Sequence, residues 1–214
     1  MKHLLFSLIL LIPGCLTTAD EGEWTPVETV VAVVDRTPLL ASDIDLAQRL
    51  RLVQRPVDSD EAAFRSSLLD ARIRLEVQFR DLESSGVLYR LDLDVRAAKR
   101  DLLESVGGMS AVGSELAESG LDETDVDELA LRICAVNAYA EQRLRPRISV
   151  SLAEIEMAYR ELAATIESAG EEAPPLTAVH EQLHRLVAER KLNDEIEGWA
   201  ERALAEREVT RFTR

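Results

Sequence analysis

One string in the sequence has residue types and spacing that match a known chemical device: His180-Glu181-Gln182-Leu183-His184. Histidines four positions apart share one side of a helix, so both rings can bind a zinc ion while Glu181 takes a proton from metal-bound water. That is the device of a secreted zinc metallopeptidase, and it requires a third ligand. The downstream candidates, Glu195, Glu197 and Glu201, stand in no recognisable motif, and Arg185 puts a charge directly after the second histidine. In an acidic helical chain the plainer description sets His180 and His184 on the solvated flank of a Val179, Leu183 and Leu186 stripe, with no metal and no cofactor.

Other clusters carry less. Arg143, Arg145 and Arg147 can meet an anion, but they fall where a helix ends before Pro146, and cations there complement the helix dipole. Arg96, Lys99 and Arg100 read as a solvated helix face with Asp92, Asp94 and Asp101 as neighbours. Gly107-Gly108-Met109 lies between helices and follows no strand, so it is no phosphate loop. Ser42-Asp43 is described as a helix N-cap, because no G-x-S-x-G elbow surrounds the serine. Cys134 sits in an apolar helical run and reads as a small buried hydrophobe, while Met109 and Tyr139 read as core. No catalytic residue is assigned on this basis, and no peptide-binding residue is marked by a motif.

The elements that must position these groups come from a chain of 214 residues with 25 basic and 40 acidic side chains and a net charge of −15. Phosphate contacts need a basic surface, so this balance argues against nucleic acid as a partner. With 46% hydrophobic residues the chain can bury a core, which excludes wholesale disorder.

Residues 1–19 have the layout of a secretory signal peptide: Lys2 and His3, the apolar run Leu4 to Ile12, then Pro13-Gly14 and small residues up to Ala19. Nine apolar residues reach only about 14 Å as a helix, short of the roughly 30 Å hydrocarbon core. Two processing routes fit, cleavage after Ala19 or lipoprotein processing before Cys15, for which Ile12-Pro13-Gly14-Cys15 resembles a lipobox. A lipid on Cys15 is the only membrane attachment expected, and the location expected is the periplasm. Either route leaves Cys134 without a disulfide partner in the mature chain.

After a polar leader at 20–26, residues 27–214 read as a single domain. Thr29 to Asp35 is a β-branched strand, and Leu39-Leu40 is its hairpin return. Helical spacing then predicts a helix from Ser42-Asp43 through Val53 and a long one opened by Asp58-Ser59-Asp60-Glu61 and ending near Gly86. Further helices are predicted at 91–106, at 111–119 and from Asp122 to Leu144. A sixth starts after Ser151, and a last long helix runs from Leu176 to about Glu206 with Val179, Leu183, Leu186, Ile196, Ala200 and Leu204 on one side. Residues 168–178 read as an internal linker. Val209 to Thr213 alternates like a strand. The expected fold is mainly α, a multi-helix body with a small antiparallel β element in which the N-terminal hairpin pairs with the C-terminal strand.

The order of these segments resembles the SurA-type periplasmic chaperones. The likeness rests on Val30 to Asp35 followed by Leu39-Leu40-Ala41-Ser42-Asp43-Ile44, on Leu68 to Gln78 and on Gly120-Leu121. It continues through Leu144-Arg145-Pro146-Arg147-Ile148-Ser149-Val150-Ser151 and ends on Glu197-Gly198-Trp199 with Val209-Thr210. The resemblance implies a helical chaperone body that holds unfolded secreted or outer-membrane polypeptides in a cleft between the body and the last long helix. Relatives with isomerase activity carry a parvulin domain before that helix. Here only residues 161–178 separate Arg160 from Val179, so prolyl isomerase activity is not implied. A structural subunit of an envelope complex is the further alternative.

Overall fold

The computed structural model describes residues 28–212. The signal peptide, the leader and Cys15 lie outside the described residues. Strands β1 (Val30–Val34) and β2 (Thr37–Leu40) form a hairpin around Asp35-Arg36. So short a turn needs left-handed backbone, and Asp35 supplies it with φ 54°. The Asp35 carboxylate then accepts from Arg207 Nη1 at 2.7 Å and from the Glu208 N–H at 3.1 Å. The Arg207 bond holds the Asp35 carboxyl below its ordinary range. These contacts deliver β3 (Val209–Arg211) to the free side of β1, antiparallel, with Thr210 opposite Val33. The sheet order is β2-β1-β3, so the N-terminal hairpin and the C-terminal strand do pair around a mainly α body.

Seven α-helices fill the described residues between the strands: α1 (Ala41–Arg49), α2 (Glu61–Ser84), α3 (Val95–Glu104), α4 (Met109–Glu118), α5 (Glu123–Tyr139), α6 (Leu152–Ser168) and α7 (Leu176–Ala205). Their starts are written in side chains. Asp60 Oδ1 accepts from the Ala63 N–H at 2.6 Å, Asp94 Oδ1 from Ala97 at 2.9 Å and Asp122 Oδ1 from Thr124 at 2.7 Å, while Ser151 and Glu154 cap α6 reciprocally. The end of α2 is marked by Gly86, whose φ of 68° a side chain would resist.

Several boundaries differ from the sequence expectation. Asp43 is no N-cap: α1 begins at Ala41, and Asp43 reaches back from inside its first turn to accept the Leu40 N–H at 2.8 Å. That helix stops at Arg49 because Arg51 turns left-handed at φ 52°. The third helix is trimmed at both ends, since Leu88–Arg90 form a 3₁₀ turn and Asp94 caps. The fifth helix does not run unbroken to Pro146. It widens into a π turn at Ala140–Leu144 and tightens into a 3₁₀ turn at Arg145–Arg147, where Pro146 has no N–H to give. The wide turn keeps Leu144 on the buried side, beside Phe79 and Leu192. The connection between α6 and α7 is residues 169–175, shorter than expected, and Tyr159 Oη donates to the Pro174 carbonyl at 2.9 Å to close it.

The body is organised around α2. The sheet lays Ala32, Val34 and Leu39 on Ile73 and Val77, with Ala203 from α7. Towards its N-terminal end Phe64 and Leu68 meet Ile44 and Ala47 of α1. Towards its C-terminal end Phe79 and Leu82 meet Ala135, Leu144, Leu192 and Trp199. Leu75 joins a further cluster with α1, α4 and α5. The pair α6 and α7 has a core of its own, Ile155 and Ala158 against Leu183 and Val187. One consequence overturns the expected α7 stripe. Leu186 and Leu204 are about half exposed, whereas Val187, Leu192, Trp199 and Ala203 are buried. The first half of α7 packs on α6 and the second on α2, and no single straight stripe serves both partners.

Candidate functional site

Charged side chains buried beneath the surface fix the walls of the site. Arg72, 4% exposed, donates Nη2 to Asp43 Oδ1 at 3.2 Å, which ties α2 to α1. Glu76 has no exposed surface; its oxygens accept from Arg80 Nε and Arg132 Nε, each at 2.8 Å, which ties α2 to α5. Burial by itself would raise the Glu76 carboxyl, but the charge and hydrogen bonds of Arg132, joined by Arg80, outweigh it and hold the group below its ordinary range. The guanidinium of Arg132 also lies 5.3 Å from the centre of the Phe79 ring.

With α1, α5, α7 and the sheet all packed on α2, one stripe of that helix stays uncovered. Ser67, Asp70, Ala71, Arg74 and Gln78 recur at intervals of three and four, so they share a face. Above it opens a groove of about 460 Å³, walled by Leu52 and Val53 from the segment after α1 and by Ile133 and Val136 from α5. Most of its lining is apolar, and Leu75 forms part of the floor. Among its polar members Gln78 is the buried one, 4% exposed, with its Nε2 lacking a hydrogen-bond partner. An unmade hydrogen bond of this kind costs on the order of 1–3 kcal/mol, and the buried Nε and Nη1 of Arg72 on the same helix are unpartnered as well. The far rim is held by two ion pairs, Asp70 with Arg211 of β3 at 2.6 Å and Arg74 with Glu197 of α7.

The resemblance implied a cleft between the body and the last long helix, α7. Between α2 and α7 the structure leaves only about 200 Å³, edged by Asp70, Arg74, Glu201 and Arg211. Trp199, Ala200 and Ala203 already fill that interface, and Trp199 Nε1 donates to Asp81 Oδ2 at 2.8 Å. The open apolar groove lies beside it, across the ridge of Asp70 and Arg74 that borders both.

The groups singled out in the sequence lie elsewhere. His180 is half-buried and His184 exposed on the outer side of α7, with Glu181 fully out in solvent and its Oε1 3.6 Å from His180 Nδ1. Among the described residues no three His, Cys, Asp or Glu side chains come together as a metal would need. Of the downstream candidates, Glu197 is engaged by Arg74, and Glu195 and Glu201 are exposed further along the same helix. Arg145 is bound to Glu141 and Glu189, each at 2.6 Å, and so bridges to α7. Lys99 pairs with Glu123 and Asp127 of α5, not with the acids of its own helix. Cys134 is buried, and burial pushes its thiol up. Tyr139 stacks obliquely on Trp199 with centroids 4.5 Å apart. Met109 packs at the edge of the α1, α4 and α5 cluster.

None of the groove residues was marked by sequence reasoning. The available signal was the run of small and polar residues at 67, 70, 71, 74 and 78 along one face of α2. No protein-family model matches the chain, and no curated protein matches it in sequence.

Proposed function

We propose that this protein is an envelope chaperone of the holdase type, which binds unfolded secreted or outer-membrane polypeptides without prolyl isomerase activity. The observation that carries the reading is the open apolar groove between α2 and α5. An unfolded chain offers what the groove lacks, an apolar side chain to fill it. The signal-peptide layout and the segment order shared with the SurA-type chaperones support the same reading. So does the charge of −15, which keeps loaded carriers apart.

The test is light scattering of an unfolded β-barrel protein diluted from denaturant into the purified chain. Suppressed aggregation at stoichiometric ratio is expected. It is expected to be lost in Ala71→Glu, which places a charge in the groove at a partly exposed helix position, while the circular dichroism stays that of the parent. No suppression by the parent protein overturns the reading. If the same preparation then holds one zinc per chain, the metallopeptidase takes its place, and Glu181→Gln is the next variant. A stable stoichiometric partner in a pull-down, with no holdase effect, identifies a structural subunit.

A further inference from the structure

Ile133 and Asn137 of α5 line not one groove but two. On the far side of the low ridge they form lies a second depression of about 370 Å³, between α3 and the second half of α5, floored by Ala98, Leu102 and Cys134. Its polar lining is one-sided: Asp92, Asp94, Asp101 and Glu141 stand around it, and no lysine or arginine lines it. Asp94 is occupied as the α3 cap and Glu141 by Arg145, but that arginine is shared with Glu189, so the neighbourhood stays negative. Asp92 and Asp101 form no ion pair among the described residues. The carboxylates do not converge as metal ligands would. An acidic rim over an apolar floor, sharing the Ile133 and Asn137 wall with the apolar groove on α2, fits a chain that is apolar and cationic in turn.

We propose that the segments this protein prefers carry an apolar side chain next to a lysine or arginine. The apolar side chain enters the groove between α2 and α5, and the cation crosses the Ile133 and Asn137 ridge to lie among Asp92, Asp94 and Asp101. This names the client chemistry of the proposed holdase and rests on that reading.

The experiment measures binding of labelled short peptides by fluorescence anisotropy to the mature chain. The peptides share one apolar sequence and are flanked by Lys, Ser or Glu. The Lys peptide is expected to bind about fivefold more tightly than the Ser peptide, as a few exposed charge pairs allow, and the Glu peptide most weakly, with the gap narrowing as salt rises. The variant Asp92→Asn/Asp101→Asn is expected to close the gap between Lys and Ser peptides and leave the Ser peptide's affinity unchanged. These aspartates cap no helix, so the fold is retained. Equal binding of all three peptides overturns the inference and leaves the holdase standing. A gap that survives in the double variant assigns the preference to the overall negative charge and overturns the site. Binding of none, together with no suppression of aggregation, removes the holdase reading itself.

Discussion

Replacing Glu76 by Gln tests whether the buried charge network holds the body together. Both carboxylate oxygens of Glu76 are engaged, one by Arg80 and one by Arg132, and the side chain has no contact with solvent. A glutamine there would have almost the same shape, but its amide nitrogen would face a guanidinium. Removing one partner of a buried pair costs about 3–5 kcal/mol. Here the arginines keep other acceptors, Glu83 at 2.7 Å for Arg80 and the Glu128 carbonyl at 3.1 Å for Arg132, so the lower end, about 3 kcal/mol, applies. At a urea dependence of about 2 kcal/mol per molar, the midpoint should fall by about 1.5 M. The pH dependence has a definite sign. The carboxyl is held below its ordinary 4.5 in the folded chain, so its contribution is complete above that value and is lost as the pH falls through the lower, folded one. The difference between parent and Glu76→Gln in urea unfolding followed by circular dichroism should therefore be full at neutral pH and shrink in acid. Equal midpoints at neutral pH, or a difference that grows in acid, would refute the reasoning. The double variant Glu76→Leu/Arg132→Met should recover part of the loss, because no charge is then left unpaired between those two positions.

Trp199→Phe keeps the ring against Tyr139 but removes the donor to Asp81, and should cost about 1.5 kcal/mol in urea unfolding. The Glu154 carboxyl is held down to about 2, first by Lys191 and then by the Ser151 N–H and hydroxyl. Its folded value is depressed, so the pair supports α6 above the ordinary 4.5 and fades as the pH falls towards 2; Lys191→Met should raise the Glu154 inflection seen by carboxyl NMR. Buried Cys134, its thiol pushed up, should resist alkylation in the native protein and react once urea unfolds it.

Much of the fold was legible because its signals are local. A β-branched run, aspartate and serine caps, and Gly86 each act within one turn of chain, so element order and the pairing of the end strands follow from residue type. The α7 face was misread because two different neighbours bury its two halves, and helical period alone carries no notice of a change of partner. The groove was hidden for a related reason. Nothing in the residue types at 67, 71 and 78 announces a groove, because Leu52, Val53, Ile133 and Val136 arrive from elsewhere in the chain to wall it. The buried Arg72 and Glu76 were equally silent, since their partners lie on α1 and α5. His180 and His184 are the converse case: a vivid local pattern whose residues stand at the surface of α7.

The sheet also sets a timetable. Strand β1 completes its ladder only with β3, and the clamp that seats it joins Asp35 to Glu208, 173 positions later. At about 5–20 residues per second on the ribosome, that interval lasts roughly 10–30 s. Throughout it one flank of a valine-rich strand is bare, and such an edge invites pairing with any neighbouring chain. A protein proposed here to hold unfolded chains is thus, early in its own life, an unfinished chain with an open edge of its own.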